Sequence, residues 1–217
     1  MHANKLFTIL TLAAGMALPA LPALAYNLSF SPSEKLVATT GTQFSIDVVV
    51  TGLDATDEIV SAFDLDIYYN STKLQFDDFI FSLALGDPLN FDAIQSGPNA
   101  SGGVIDVAAN SFLDDGTLAA NQGDSVLLGT LLFSGLLDGV STLSFGADLD
   151  FGRNVVGRNA ESLGVIAGTA CVAVGANFNC VPTPDNSVPE PATLALAALG
   201  LLGMGIVRRR QAEQSAA

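Results

Sequence analysis

Gln43-Phe44-Ser45-Ile46-Asp47-Val48-Val49-Val50-Thr51 and Ser61-Ala62-Phe63-Asp64-Leu65-Asp66-Ile67-Tyr68-Tyr69-Asn70 are the stretches that decide the fold. In the first, Phe44, Ile46, Val48 and Val50 share one face, while Gln43, Ser45, Asp47 and Thr51 share the other. In the second, Phe63, Leu65, Ile67 and Tyr69 alternate with Asp64, Asp66, Tyr68 and Asn70. A period of two over so many residues predicts antiparallel strands with one buried and one wet face. Working outward, 73–81, 104–111, 125–134, 142–145 and 163–174 read as further strands. Gly52-Leu53-Asp54, Ser96-Gly97-Pro98-Asn99, Asp114-Asp115-Gly116 and Asp138-Gly139 stand between them as turn signals. No stretch of the middle carries a helical period. Several short strands with one apolar face each predict two sheets packed face to face, an all-β sandwich.

The 217 residues carry a net charge of −14. Setting aside Lys5 (+1) and the residues after Val207 (three Arg and one Glu, +2) leaves −17 on the middle. A domain so acidic is repelled by nucleic acid and by anionic lipid, so neither is an expected partner. The acids are spread singly among Val, Ile, Leu and Phe, which argues for a folded core and against a disordered acidic segment. About 160 residues are enough for one domain with a substantial core.

The two ends read as targeting segments. Residues 1–25 place Lys5 before the apolar run Leu6-Phe7-Thr8-Ile9-Leu10-Thr11-Leu12-Ala13-Ala14 and end in Ala23-Leu24-Ala25. That is the order of a secretory signal peptide, with cleavage expected after Ala25. At the other end, Val188-Pro189-Glu190-Pro191 leads into a Leu/Ala/Gly run that stops at Arg208-Arg209-Arg210. As a helix, the 16 residues between Pro191 and Arg208 would be ~24 Å long, against a hydrocarbon core of ~30 Å. A single transmembrane helix would only just span. The arginines belong on the cytoplasmic side, which leaves the domain outside.

This tail resembles the PEP-CTERM sorting signal: a Pro-Glu-Pro motif, a short spanning helix and a terminal basic cluster. The resemblance implies that Pro189, Glu190 and Pro191 are recognised by an exosortase, a membrane-embedded cysteine protease. It also implies transient anchoring in the inner membrane, then transfer to the cell surface or release, often in organisms that make extracellular polysaccharide. Four segments follow: 1–25 signal peptide, 26–175 β-sandwich, 176–187 linker, 188–217 sorting signal.

Gly41-Thr42-Gln43-Phe44-Ser45-Ile46-Asp47-Val48, Val60-Ser61-Ala62-Phe63-Asp64-Leu65-Asp66-Ile67-Tyr68-Tyr69-Asn70 and Lys73-Leu74-Gln75-Phe76 resemble the first half of a cohesin domain. Asp124-Ser125-Val126-Leu127-Leu128-Gly129-Thr130-Leu131-Leu132-Phe133 and Gly139-Val140-Ser141-Thr142-Leu143 fit the second half loosely. The resemblance covers most of 28–174. It implies a jelly-roll sandwich of about nine strands, related in fold to some carbohydrate-binding modules. One position departs from the pattern: Ser71 follows Asn70 where cohesins carry a proline.

Chemistry narrows the function. His2, the only histidine, lies in the signal segment, which excludes Ser-His and Cys-His catalysis and His-ligated metal from the mature domain. With no Trp, a sugar platform would need Tyr26, Tyr68, Tyr69 or a Phe. Strand parity puts Tyr68 on the wet face with Asp64 and Asp66, a candidate ligand face. Asp64 with Asp66, and Asp148 with Asp150, could offer oxygens to calcium, but neither spacing makes a complete calcium loop. Glycoside hydrolysis by paired carboxylates is the enzymatic alternative; Glu34, Glu58 and Glu161 are the domain's few glutamates, and its aspartates sit mostly in turns. Cys171 and Cys180, on the exported side, predict a disulfide stapling a small hairpin. The expected function is non-catalytic binding of a protein or polysaccharide partner, with no obligatory cofactor.

Overall fold

Alternation becomes structure strand by strand. The computed structural model describes residues 26–54, 58–147 and 153–180. Two compact units divide the chain, Met1–Phe178 and Asn179–Ala217, and every strand described here belongs to the first. In chain order these are β1 (Tyr26–Ser31), β2 (Glu34–Val37), β3 (Gln43–Thr51), β4 (Ala62–Tyr68), β5 (Leu74–Phe81), β6 (Ala93–Ser101), β7 (Val104–Ser111), the helix α1 (Asp115–Asn121), then β8 (Ser125–Gly135), β9 (Gly139–Phe145), β10 (Arg153–Val156), β11 (Val165–Ala167) and β12 (Thr169–Val174).

One sheet runs β11-β1-β3-β8-β5; the other runs β2-β12-β9-β4-β7-β6, with β10 also paired to β4. The apolar residues of β3 and β4 meet between them. Ile46, Val48, Val50, Leu65 and Ile67 are fully buried, as are Leu131 and Leu143 from the neighbouring strands. Phe133 on β8 is fully buried and collects Phe44, Tyr69 and Phe76 at ring separations of 5.9, 5.3 and 5.8 Å. Phe30 and Phe145 stack at 4.2 Å, joining β1 of one sheet to β9 of the other. Large rings at the centre of two facing sheets bury the most apolar area per residue ordered.

The sandwich differs from its expected form in four places. About nine strands were expected and twelve are found among the described residues, largely because two strands bend from sheet to sheet and are each cut in two. Pro32-Ser33 separates β1 from β2, and Gly168 separates β11 from β12. The bent pairs run parallel to each other, β1 with β11 and β2 with β12. Backbone bonds from Gly168 N–H to Leu28 C=O (2.8 Å) and from Cys171 N–H to Ser33 C=O (2.9 Å) hold them together through the bend. The short β10 is the remaining addition.

Second, Ser96-Gly97-Pro98-Asn99 is no turn between strands. It is an irregularity inside the edge strand β6, where the register against β7 shifts between Ser96 and Asn99. Gly97 has φ 87° and the Gly97-Pro98 bond is cis; a Cβ on Gly97 would lie 2.5 Å from the Asp106 carbonyl oxygen. A proline and a bulge at an edge also deter pairing with another chain. Third, Asp114-Asp115-Gly116 opens a helix. The Asp114 carboxylate accepts the Thr117 N–H (3.0 Å) and hydroxyl (2.8 Å), the usual N-cap arrangement, and Leu118 is buried beneath. Gln122, at the other end, is buried. Its oxygen accepts the Val60 N–H (2.8 Å), and its nitrogen donates to the carbonyls of Val60 (2.8 Å) and Ala84 (3.1 Å). Fourth, both cysteines are disulfide-bonded as expected, but the stapled segment is not a hairpin. Cys171 lies in β12, and no strand follows among the described residues.

Candidate ligand face

Parity places Asp64, Asp66 and Tyr68 on the outer face of the seven-stranded sheet, because Phe63, Leu65 and Ile67 between them point into the core. Register supplies their neighbours. Asp66 stands directly opposite Asp106 of β7, Asp64 opposite Ala108, and Tyr68 opposite Val104; on its other side Asp64 faces Asn154 of β10. Three carboxylates therefore share one patch, and Asp106 is the member that strand-by-strand reading missed. The alternation of 104–111 already turned Asp106 outward; only the pairing of β4 with β7 brought it to Asp66.

The carboxylates feel each other. Burial first, then the charges of Asp106 and Asp66, raise the Asp64 carboxyl above its ordinary value. Burial and then Asp106 do the same to Asp66. No hydrogen bond or ion pair to these three side chains is found among the described residues. On the other sheet the strand aspartates are satisfied internally: Asp47 accepts the Thr130 hydroxyl (2.7 Å), Asp77 the Ser134 hydroxyl (2.7 Å) and the Gln43 and Gln75 amides (both 3.2 Å). Asp87 caps Leu89 N–H (2.9 Å) in a loop. The outer face of the five-stranded sheet has thus spent its acids on its own hydroxyls and amides, and the seven-stranded sheet has not.

Beside Asp64 the same face opens into a cavity of about 260 Å³. Ala62, Ala108 and Val156 line it together with Ile94, which is 57% exposed, and the amides of Asn110 and Asn154. Two alanines on adjacent central strands, with bulkier residues on β6 and β10, leave the hollow. Tyr68, 43% exposed, is not among the residues that line it. No group of three or more His, Cys, Asp or Glu side chains able to hold a metal occurs among the described residues. Asp148 and Asp150 lie outside the described residues. So do Ala23 and Ala25, Pro189, Glu190 and Pro191, and Arg208, Arg209 and Arg210, with the spanning helix expected between them. Among the described residues no helix is long and apolar enough to cross a membrane.

Comparison with known proteins meets this picture from two sides. Residues 187–211 match the PEP-CTERM protein-sorting motif. A search among curated proteins finds no match. The sandwich superposes on cohesins. A type II cohesin from the cellulosome of Acetivibrio cellulolyticus gives a TM-score of 0.55 at 15% identity, over 68% of this chain and 95% of that one. A Clostridium acetobutylicum cohesin gives 0.52 at 19%, over 71% and 93%. The sixth cohesin of the A. cellulolyticus scaffoldin B, solved in complex with a dockerin, gives 0.52 at 14%, over 69% and 99%. At such identities the likeness is one of fold. The chain carries a PEP-CTERM sorting motif and an all-β sandwich that resembles cohesins.

Proposed function

We propose that this is an exported, exosortase-sorted protein of the cell envelope or extracellular matrix, whose cohesin-like sandwich binds a protein partner without catalysis. The fold likeness carries the binding half of this reading, since a cohesin of similar architecture is solved with a dockerin on it. The outer face of the seven-stranded sheet is the binding surface in this reading, because its carboxylates and its cavity have no occupant within the domain. The sorting motif carries the other half: the domain emerges outside the inner membrane, is held there by the C-terminal helix, and is processed near Pro189, Glu190 and Pro191.

Each half has its own test. Deleting 188–217 should abolish processing and surface location; unchanged processing and location would remove the sorting claim. For binding, the full chain is immobilised and exposed to the secreted fraction. A captured partner is then identified and titrated against wild type and Ala108→Trp, which fills the cavity. A partner that binds both equally well would show that this face is not the site, and a Tyr68-dependent response on a glycan array would turn the reading toward polysaccharide.

A further inference from the structure

The strands run between two ends of the sandwich, and charge is divided unevenly between those ends. At one end lie the loops 38–42, 69–73, 102–103, 136–138 and 175–179. Backbone bonds tie them to one another and to the strand ends: Gly41 N–H to Gly135 C=O (2.7 Å), Tyr69 N–H to Gly103 C=O (2.9 Å), Leu136 N–H to Lys73 C=O (2.8 Å) and Gly175 N–H to Val37 C=O (2.8 Å). These loops carry Lys73 and Asp138 as their charged residues, a net charge of zero. At the opposite end, the described loops 52–54, 58–61, 82–92, 112–124 and 157–164 carry eight Asp or Glu against Arg158, a net charge of −7. We infer that the neutral end faces the membrane in the tethered protein and rests on the lipid headgroups through Leu136, Leu137 and Phe178, with the acidic end turned away. This rests on the reading that the C-terminal segment anchors the chain in a bilayer, and it names the surface the anchored domain then touches.

Reach argues first. β12 ends at Val174, paired with Gly139, and the disulfide brings Cys180 back to Cys171, three residues earlier in β12. The tether from Cys180 through Pro191 is 11 residues, at most ~36–40 Å when fully stretched. β8, which runs from one end of the sandwich to the other, has 11 residues and is ~37 Å long. By the same rise per residue, Cys171 stands ~10 Å from the neutral end and ~27 Å from the acidic one. The neutral end meets the bilayer on a slack tether. The acidic end would meet it only with most of the tether drawn out, at the expense of its conformational freedom.

Charge argues next, because both ends expose apolar side chains. Leu89 and Phe91 at the acidic end are each 86% exposed, but Asp87 and Asp92 flank them in the same loop. Placing those side chains in an apolar interface would desolvate the carboxylates beside them. Leu137 at the neutral end is 58% exposed, with Leu136 and Phe178 also exposed, and Lys73 Nζ donates to the Asp138 carbonyl there (2.7 Å). The strongly negative domain charge opposes anionic lipid only where that charge lies. With a screening length of about 8 Å, carboxylates ~37 Å from the surface no longer feel it. Binding at the interface scales with the apolar area buried, and three side chains suffice when a tether already holds the domain beside the bilayer.

The test reconstitutes the full chain into vesicles of phosphatidylethanolamine and phosphatidylglycerol. Both native cysteines are held in the disulfide, so Thr40→Cys at the neutral end, or Asn90→Cys between Leu89 and Phe91, each supplies a single thiol for an environment-sensitive fluorophore. Both positions are exposed, and thermal melts verify that both variants fold. The position-40 probe should shift to the blue on reconstitution and be quenched by headgroup spin-labelled lipid; the position-90 probe should keep its aqueous spectrum. Adding Leu137→Asp should abolish the quenching at position 40. Flotation with the vesicles reports anchoring separately. A chain that does not float would overturn the anchoring reading, and the orientation with it. A chain that floats with position 40 no more quenched than position 90, or with quenching at position 40 unchanged by Leu137→Asp, would overturn the inference and leave the anchoring reading standing.

Discussion

Asp66→Asn should make the protein more stable at neutral pH, which is an unusual expectation for a partly buried strand residue. The Asp66 carboxyl is raised above its ordinary value of 3.8 by burial and by Asp106 opposite it. The folded state therefore holds this proton more tightly than the unfolded state does, and proton binding favours the fold. The penalty is absent at pH below the ordinary carboxylate value, grows as pH rises through the raised folded value, and is complete at neutral pH. Like charges directly opposite in an antiparallel pair cost about 0.2–1 kcal/mol, and solvent contact at this face places the effect within that range, not above it. Asparagine keeps the shape and removes the charge, so the gain at pH 7 should be about 0.2–1 kcal/mol, or up to ~4 °C in melting midpoint for a domain of this size. Urea unfolding of wild type and variant at pH 7 and pH 3 measures it. Asp106→Asn should give a similar gain, and the double variant less than the two gains added, because either change alone removes the repulsion. A variant less stable than wild type at pH 7, or a gain equally large at pH 3, would refute the electrostatic argument.

Three further outcomes follow from the packing. Gly129→Ala should cost about 1–3 kcal/mol by overpacking, since a Cβ at Gly129 would run into the Phe79 ring; chemical denaturation checks this, and a neutral result would mean the ring can move aside. Gln122→Leu should cost roughly 1–3 kcal/mol, because it strips the buried Val60 amide and carbonyl of their side-chain partner; hydrogen exchange at Val60 should speed up in step. Reducing the disulfide of Cys171 and Cys180 should lower the unfolding free energy by about 2 kcal/mol or slightly more, the loop being short; unfolding with and without reductant, alongside a thiol count, measures it.

Much of the fold was legible because burial enforces period two. β3 and β7 fall where alternation put them, since a one-residue slip would carry Ile46 or Val107 to water. What escaped was of two kinds. A helix as short as α1 has fewer than two full turns, too few for a 3.6-residue period to show; its signal was the Asp114 cap and Leu118, which read equally well as a turn. The Gly97-Pro98 pair reads as a chain reversal in any sequence, and only the pairing of β6 with β7 shows that the strand continues past it. The candidate site divides the same way. Asp64, Asp66 and Tyr68 were visible from parity within one strand. Asp106 depends on register between strands, and the cavity on small side chains, Ala62 and Ala108, having large neighbours on β6 and β10. Neither is encoded in any single stretch.

The contrast between the two outer faces bears on why the carboxylates are there at all. On the five-stranded sheet, Asp47 and Asp77 are answered by Thr130, Ser134, Gln43 and Gln75, so their charge is held by hydrogen bonds within the domain. On the seven-stranded sheet, a hydroxyl or amide at position 106 would have served Asp66 in the same way, and an aspartate is there instead. A surface that needed only solubility gains nothing from placing two carboxylates in direct opposition, because the same charge a strand further away would keep the domain in solution without the repulsion. Stability given up at one patch, next to an unfilled apolar cavity, is what a binding surface looks like before its partner arrives. In the proposed binding reading the stability gain of Asp66→Asn and a weaker hold on the partner go together, because the repulsion between Asp66 and Asp106 would be relieved by whatever docks on this face. If neutralising this patch changed stability but left the affinity of a captured partner unaffected, the carboxylates would be a cost without a use, and the binding surface would have to be sought elsewhere on the sandwich.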